Sequence, residues 1–157
     1  MQDLLIVEYS PEYACELVQM WRDSFEQAVG IIDPHPLEEQ LRALEEKIVP
    51  QNRVRVVLEK DTSAVIGFIA STSTMISLLY VHVDHQGKGI GSKLLNLAKE
   101  ESGGSLRLFT FKSNTKAQRF YERQGFKIIG RGFEEMWQLE DVEYEWSRVN
   151  DFERKSR

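Results

Sequence analysis

Between Val83 and Ser92 the chain reads Val-Asp-His-Gln-Gly-Lys-Gly-Ile-Gly-Ser, with Gly87, Gly89 and Gly91 at every second position. A strand-like run ends just before this segment, and an amphipathic helical pattern starts within it. Backbone without Cβ atoms can turn tightly and let a ligand reach its N–H groups, and a new helix adds unpaired donors and a positive dipole end. That combination is an anion site, whereas spacing alone would equally describe a flexible turn. A nucleoside triphosphate loop needs Gly-Lys-Ser/Thr after four spacer residues, but here Lys88 sits between the first two glycines and Gly91 is followed by Ser92-Lys93. A dinucleotide loop wants glycine or alanine where Ser92 stands and an acid about 20 positions later; Leu106-Arg107-Leu108-Phe109 holds none.

The surrounding pattern says what positions that loop. Leu4 to Tyr9 reads as a strand, and Ser10-Pro11-Glu12 as an N-cap, a first-turn proline and an acidic first turn. Ala14, Leu17, Val18, Trp21 and Phe25 recur at helical spacing up to about Gln27. Gly30 to Pro36 interrupts, and Leu37, Leu41, Leu44 and Ile48 mark a second helix that Pro50 should stop. Arg53 to Glu59, Ala64 to Ser71 and Met75 to Val83 are three strands with no helix between them, which predicts an antiparallel meander. After the helix from Ile90 to Ser102, a strand at Leu106 to Phe111, a short helix at Thr115 to Gln124 and strands at Phe126 to Ile129 and Val142 to Val149 complete the chain.

With 157 residues, 41% of them hydrophobic, the chain suits one compact domain with a real core. A formal charge of −5 disfavours nucleic acid as a partner. No apolar stretch reaches the roughly 18 residues of a membrane span, and the start Met1-Gln2-Asp3 lacks the basic opening of a signal peptide. A single cysteine, Cys15, forms no internal disulfide and fits a reducing, cytoplasmic setting, with a structural rather than nucleophilic role. Three histidines and one cysteine never fall at metal-ligand spacing, so no metal is expected.

Gln86 to Gly91 matches the QxxGxG signature of the GNAT acetyltransferase superfamily, after the Leu79-Tyr80-Val81 strand and before an amphipathic helix. Asn114, Ala117, Phe120, Tyr121, Gly125 and Phe126 resemble that family's second block. The resemblance implies one GNAT-like N-acetyltransferase domain over residues 1–149, followed by a charged tail at 150–157. It implies an α/β (α+β) fold with a mixed, mostly antiparallel seven-strand sheet flanked by four helices and splayed between strands 4 and 5. It also implies acetyl-CoA as the acyl donor, with the diphosphate on the amides of Gln86, Gly87, Lys88, Gly89, Ile90, Gly91 and Ser92. The pantetheine arm would lie along the backbone of Leu79, Tyr80 and Val81, near Asn114.

Tyr121 stands where the family keeps the acid that protonates the departing thiolate, although spacing alone makes it a core aromatic; Asn114 reads equally as a helix N-cap. Some members carry a glutamate early on the fourth strand, and Met75-Ile76-Ser77-Leu78 has no carboxylate. Asp33 and His35, on the proline-bounded loop, and Glu134 and Glu135, before the last strand, are the candidates for the acceptor side. His82 and His85 flank the loop and read first as structural residues. The expected reaction is acetyl transfer to a primary amine of a small molecule or peptide. A non-catalytic module that binds acyl-CoA, or a transferase with another acyl donor or acceptor, is the alternative. The exposed sheet edge offers a pairing surface for a homodimer.

Overall fold

The computed structural model describes residues 3–149, so the expected tail lies outside the described residues. The strands β1 (Leu4–Glu8), β2 (Arg53–Glu59), β3 (Val65–Ser71) and β4 (Ile76–Val81) form an antiparallel sheet in that order. A second antiparallel sheet has β7 (Leu139–Ser147) between β5 (Ser105–Phe111) and β6 (Lys127–Glu134). The two sheets touch where β4 begins: Met75 and Arg107 form a parallel bridge, and Arg107 N donates to Thr74 O at 3.0 Å. Beyond that point β4 and β5 diverge, which is the splay expected of the seven-strand arrangement. No helix among the described residues is long and apolar enough to cross a membrane.

Each strand of the meander feeds two cores. Val54, Val56, Phe68 and Ala70 pack on one face with Leu17 and Met20 of α1 (Ala14–Val29), while Val57 and Ile69 pack on the other with Leu94 and Leu95. β3 is therefore buried along its whole length, and its sequence VIGFIAS carries no charge. Behind the second face lie α4 (Ile90–Glu101) and α5 (Thr115–Arg123).

Several local expectations change. A 3-10 turn, Pro11–Tyr13, precedes α1, and Ser10 is extended but its side chain makes no cap bond. α2 (Leu37–Ala43) does not stop at Pro50: it passes through a π-helical turn, Leu44–Ile48, into the short α3 (Val49–Gln51). The widened turn, with Val49 N on Leu44 O, makes room for the proline ring and leaves no N–H of residue 50 to satisfy. β6 runs to Glu134 rather than ending at Ile129, because a register shift between Ile128 and Gly130 lets pairing with β7 continue past that point. Cys15 is exposed and takes no part in the core.

Candidate active site

The splay leaves one edge of β4 without a strand partner. His82 N donates to Ile66 O at 2.8 Å on the β3 side, so alternation along β4 turns the backbone groups of Leu79 and Val81 to the open edge. Val81 O already accepts from Gln86 Nε2 at 2.9 Å and from Ser24 Oγ at 3.4 Å. Gln86 is thus a strut: its side-chain oxygen also accepts from Lys116 Nζ at 2.6 Å, tying the loop to both β4 and α5. The 3-10 turn Val83–His85 carries the chain from β4 into the loop, and His82 caps it by accepting from Asp84 N at 3.1 Å.

Gly87 and Gly89 sit at φ of +78° and +83°, a backbone region that favours glycine. Gly89 is the N-cap of α4, and having no side chain it leaves the first amides of the helix uncapped. Gly91 answers a packing need, since a Cβ there would lie 3.2 Å from Phe120 Cζ. Gln124 Nε2 donates to Ser92 Oγ at 3.0 Å, closing α5 onto α4.

Two cavities open from the cleft. One, of about 610 Å³, runs from Leu79 to Val81 and past Gln86, Gly87, Gly89, Ile90, Gly91 and Ser92 to the start of α5. The other, of about 450 Å³, lies between the N-terminal helices and the β6–β7 hairpin; Asp33, His35 and Glu134 line it, together with Trp21, Phe25, Phe111 and Trp137. Lys88 and Glu135 line neither. The cavities share Leu79, Tyr80, Asn114, Ala117 and Tyr121.

Tyr121 is 7% exposed, with its ring held edge-on by Phe120 and Phe126. Burial, and then the neighbouring Tyr80, push its phenol well above the ordinary value, so it remains protonated across the physiological range. Tyr80 is pushed up to about 12 by burial, against a smaller opposite effect of its hydrogen bond with Trp21. The side chain of Asn114 accepts from Ala117 N at 3.1 Å, the expected N-cap of α5, and the residue also stands in the wall common to the cavities. Asn114→Ala should cost about 1 kcal/mol of stability, read as a shift in the denaturant midpoint, because the cap donor loses its partner.

The smaller cavity is aromatic and acidic. Asp33, Glu39, Glu134 and Asp141 line it, with no lysine or arginine among its lining residues. Phe25 bridges Trp137, at 4.9 Å between rings, and Phe111, at 6.1 Å. Glu39, Asp141, Phe111 and Trp137 carried no sequence signal of this kind, because they meet only through the packing of α1 and α2 against the β6–β7 hairpin. No group of three or more metal-ligating side chains occurs among the described residues.

A family model described as an acetyltransferase (GNAT) domain matches residues 19–147. The chain is 28% identical over 116 residues to the peptidyl-lysine N-acetyltransferase YjaB of Salmonella typhimurium, covering 74% of this chain and 78% of that protein. In fold it resembles the apo form of YjaB from Escherichia coli, with a TM-score of 0.75 and 20% identity over 92% of this chain and 97% of that one. It also resembles the PaiA N-acetyltransferase of Thermoplasma acidophilum in complex with coenzyme A, with a TM-score of 0.73 and 21% identity over 92% and 99%.

Proposed function

This chain belongs to the GNAT acetyltransferase family, and from that premise we propose that it moves the acetyl group of acetyl-CoA directly to a primary amine, with Tyr121 as the general acid. The observation that carries this reading is the meeting of two cavities at a wall made by Leu79, Tyr80, Asn114, Ala117 and Tyr121. A donor in the larger cavity would rest its diphosphate on the amides from Gly87 to Ser92 and its pantetheine arm against the free edge at Leu79 and Val81. The thioester would then lie at the common wall, beside a phenol that burial keeps protonated. Attack by the amine forms the C–N bond, the C–S bond breaks, and the sulfur takes the phenolic proton.

The acceptor cavity favours an ammonium-bearing molecule with an apolar body. Its carboxylates attract the cation, and its aromatic faces hold both the charge and the hydrocarbon. Free-thiol release from acetyl-CoA across a panel of primary amines tests the reading, with coenzyme A binding followed separately by calorimetry. Binding together with amine-dependent thiol release is the expected result. Binding without release for every amine would instead make the chain a non-catalytic acyl-CoA module.

A further inference from the structure

The loop between α1 and α2 spends its polar groups on one imidazole. Asp33 Oδ1 lies 2.7 Å from His35 Nδ1 and also accepts from His35 N at 2.9 Å, while Asp33 Oδ2 lies 3.3 Å from Arg22 Nη2. Arg22 is itself oriented by Gln40, whose Oε1 accepts from Nε at 3.0 Å, and Glu26 Oε2 accepts from Asp33 N at 2.6 Å. Pro34 and Pro36 stiffen what remains. Trp137 of the opposite hairpin meets the imidazole edge-on at 5.4 Å between rings. With Nδ1 committed to a carboxylate, the basic lone pair is on Nε2. His35 lines the same cavity as Tyr121, yet its side chain is 43% exposed.

We propose that His35 is the general base that deprotonates the incoming ammonium, with Asp33 as its positioning residue; this rests on the transfer reading above. The remaining charged groups facing it fit other tasks. Arg22 and Glu26 hold the loop, Glu134 Oε2 accepts from Trp137 N at 2.7 Å, and Glu39 and Asp141 are carboxylates suited to attracting the cation. In the step, R–NH3+ gives one proton to His35 Nε2 on entry, and the amine lone pair then attacks the acetyl carbon. The C–S bond breaks, and the sulfur takes the proton of Tyr121. The second nitrogen-borne proton returns to the Tyr121 oxygen as the amide forms, and His35 sheds its own proton to water at the exposed mouth.

The test compares primary amines that are charged at neutral pH with O-alkylhydroxylamines of the same carbon skeleton, which are not. His35→Gln should lower kcat/KM about 10²-fold for the amines at pH 7, and much less for the O-alkylhydroxylamines, whose nitrogen needs no deprotonation. The amine deficit should shrink as pH rises and free amine becomes abundant. Nitrogen chemical shifts of the imidazole should report a protonated Nδ1 and a bare Nε2, and Asp33→Ala should mix the tautomers. Equal losses for both nucleophile classes, or full amine activity in His35→Gln with loss confined to Asp141→Asn or Glu39→Gln, would overturn the assignment. A parent protein that binds coenzyme A but acetylates neither class overturns the transfer reading itself.

Discussion

Tyr121→Phe should lower kcat by about 10²-fold or more while leaving the affinity for coenzyme A unchanged. The substitution removes one oxygen and keeps the ring, which is what Phe120, Phe126 and Tyr144 pack against. Folding and the shape of the larger cavity are therefore retained, and under the proposed mechanism the loss reports proton delivery to sulfur. No group among the described residues hydrogen-bonds the hydroxyl, so its removal strands no buried partner. Burial raises this phenol above its ordinary value of 10, so the acid is competent below that raised value. Turnover should show no alkaline limb near pH 10 that traces to Tyr121. An unchanged kcat in the variant would return Tyr121 to a purely packing role.

The same burial makes the fold sensitive to alkali. The phenols of Tyr80, Tyr121 and Tyr144 are all raised, chiefly by desolvation, above the ordinary value of 10 that they regain on unfolding. Their contribution to stability is fully present below pH 10 and is lost as pH rises from there, because the unfolded chain ionises first. Denaturant midpoints measured across this range should fall with pH, and less steeply in Tyr121→Phe.

Gly89→Asp should weaken coenzyme A binding by on the order of 10²-fold, with a much smaller change in thermal stability. A Cβ at Gly89 meets nothing within 4 Å, and aspartate is among the residues that tolerate a positive φ. At the start of α4 the new carboxylate puts a negative charge at the positive end of the helix and repels the diphosphate from the place it should occupy. Loss of one or two charge-assisted hydrogen bonds, each about 1.5–3 kcal/mol, sets the scale. Gly89→Asn has the same shape without the charge and should retain more affinity. Equal binding by parent and Asp variant would remove the loop from the donor site.

The parts of this protein that could be read along the chain are those whose physics is local. The glycine loop, the apolar stripes of α1 and α4, and the cap at Asn114 each depend on neighbours within one turn of backbone. Gln86 was legible as a loop residue but not as the strut to Val81 and Lys116, which needs α5 folded beside it. Trp21 and Phe25 read as part of the buried stripe of α1, and they do pack into the protein, but they also line the smaller cavity. Helical spacing cannot distinguish a wall from an interior. Pro50 misled because a proline's effect depends on the width of the turn before it, and the end of β6 was placed too early because a bulge can preserve a strand. The company of Asp33, Arg22 and Gln40 is set by the crossing of α1 and α2, which no short window contains.

Leu79, Tyr80, Asn114, Ala117 and Tyr121 form the wall at which the two chambers meet. The exposed thiol of Cys15 borders neither chamber, and direct transfer, as proposed, would make steady-state plots intersect rather than run parallel. A single inhibitor that tethers an amine to the sulfur of coenzyme A would occupy both chambers at once. Its second contact would form at the high effective concentration of an intramolecular event, and it should bind far more tightly than either half alone.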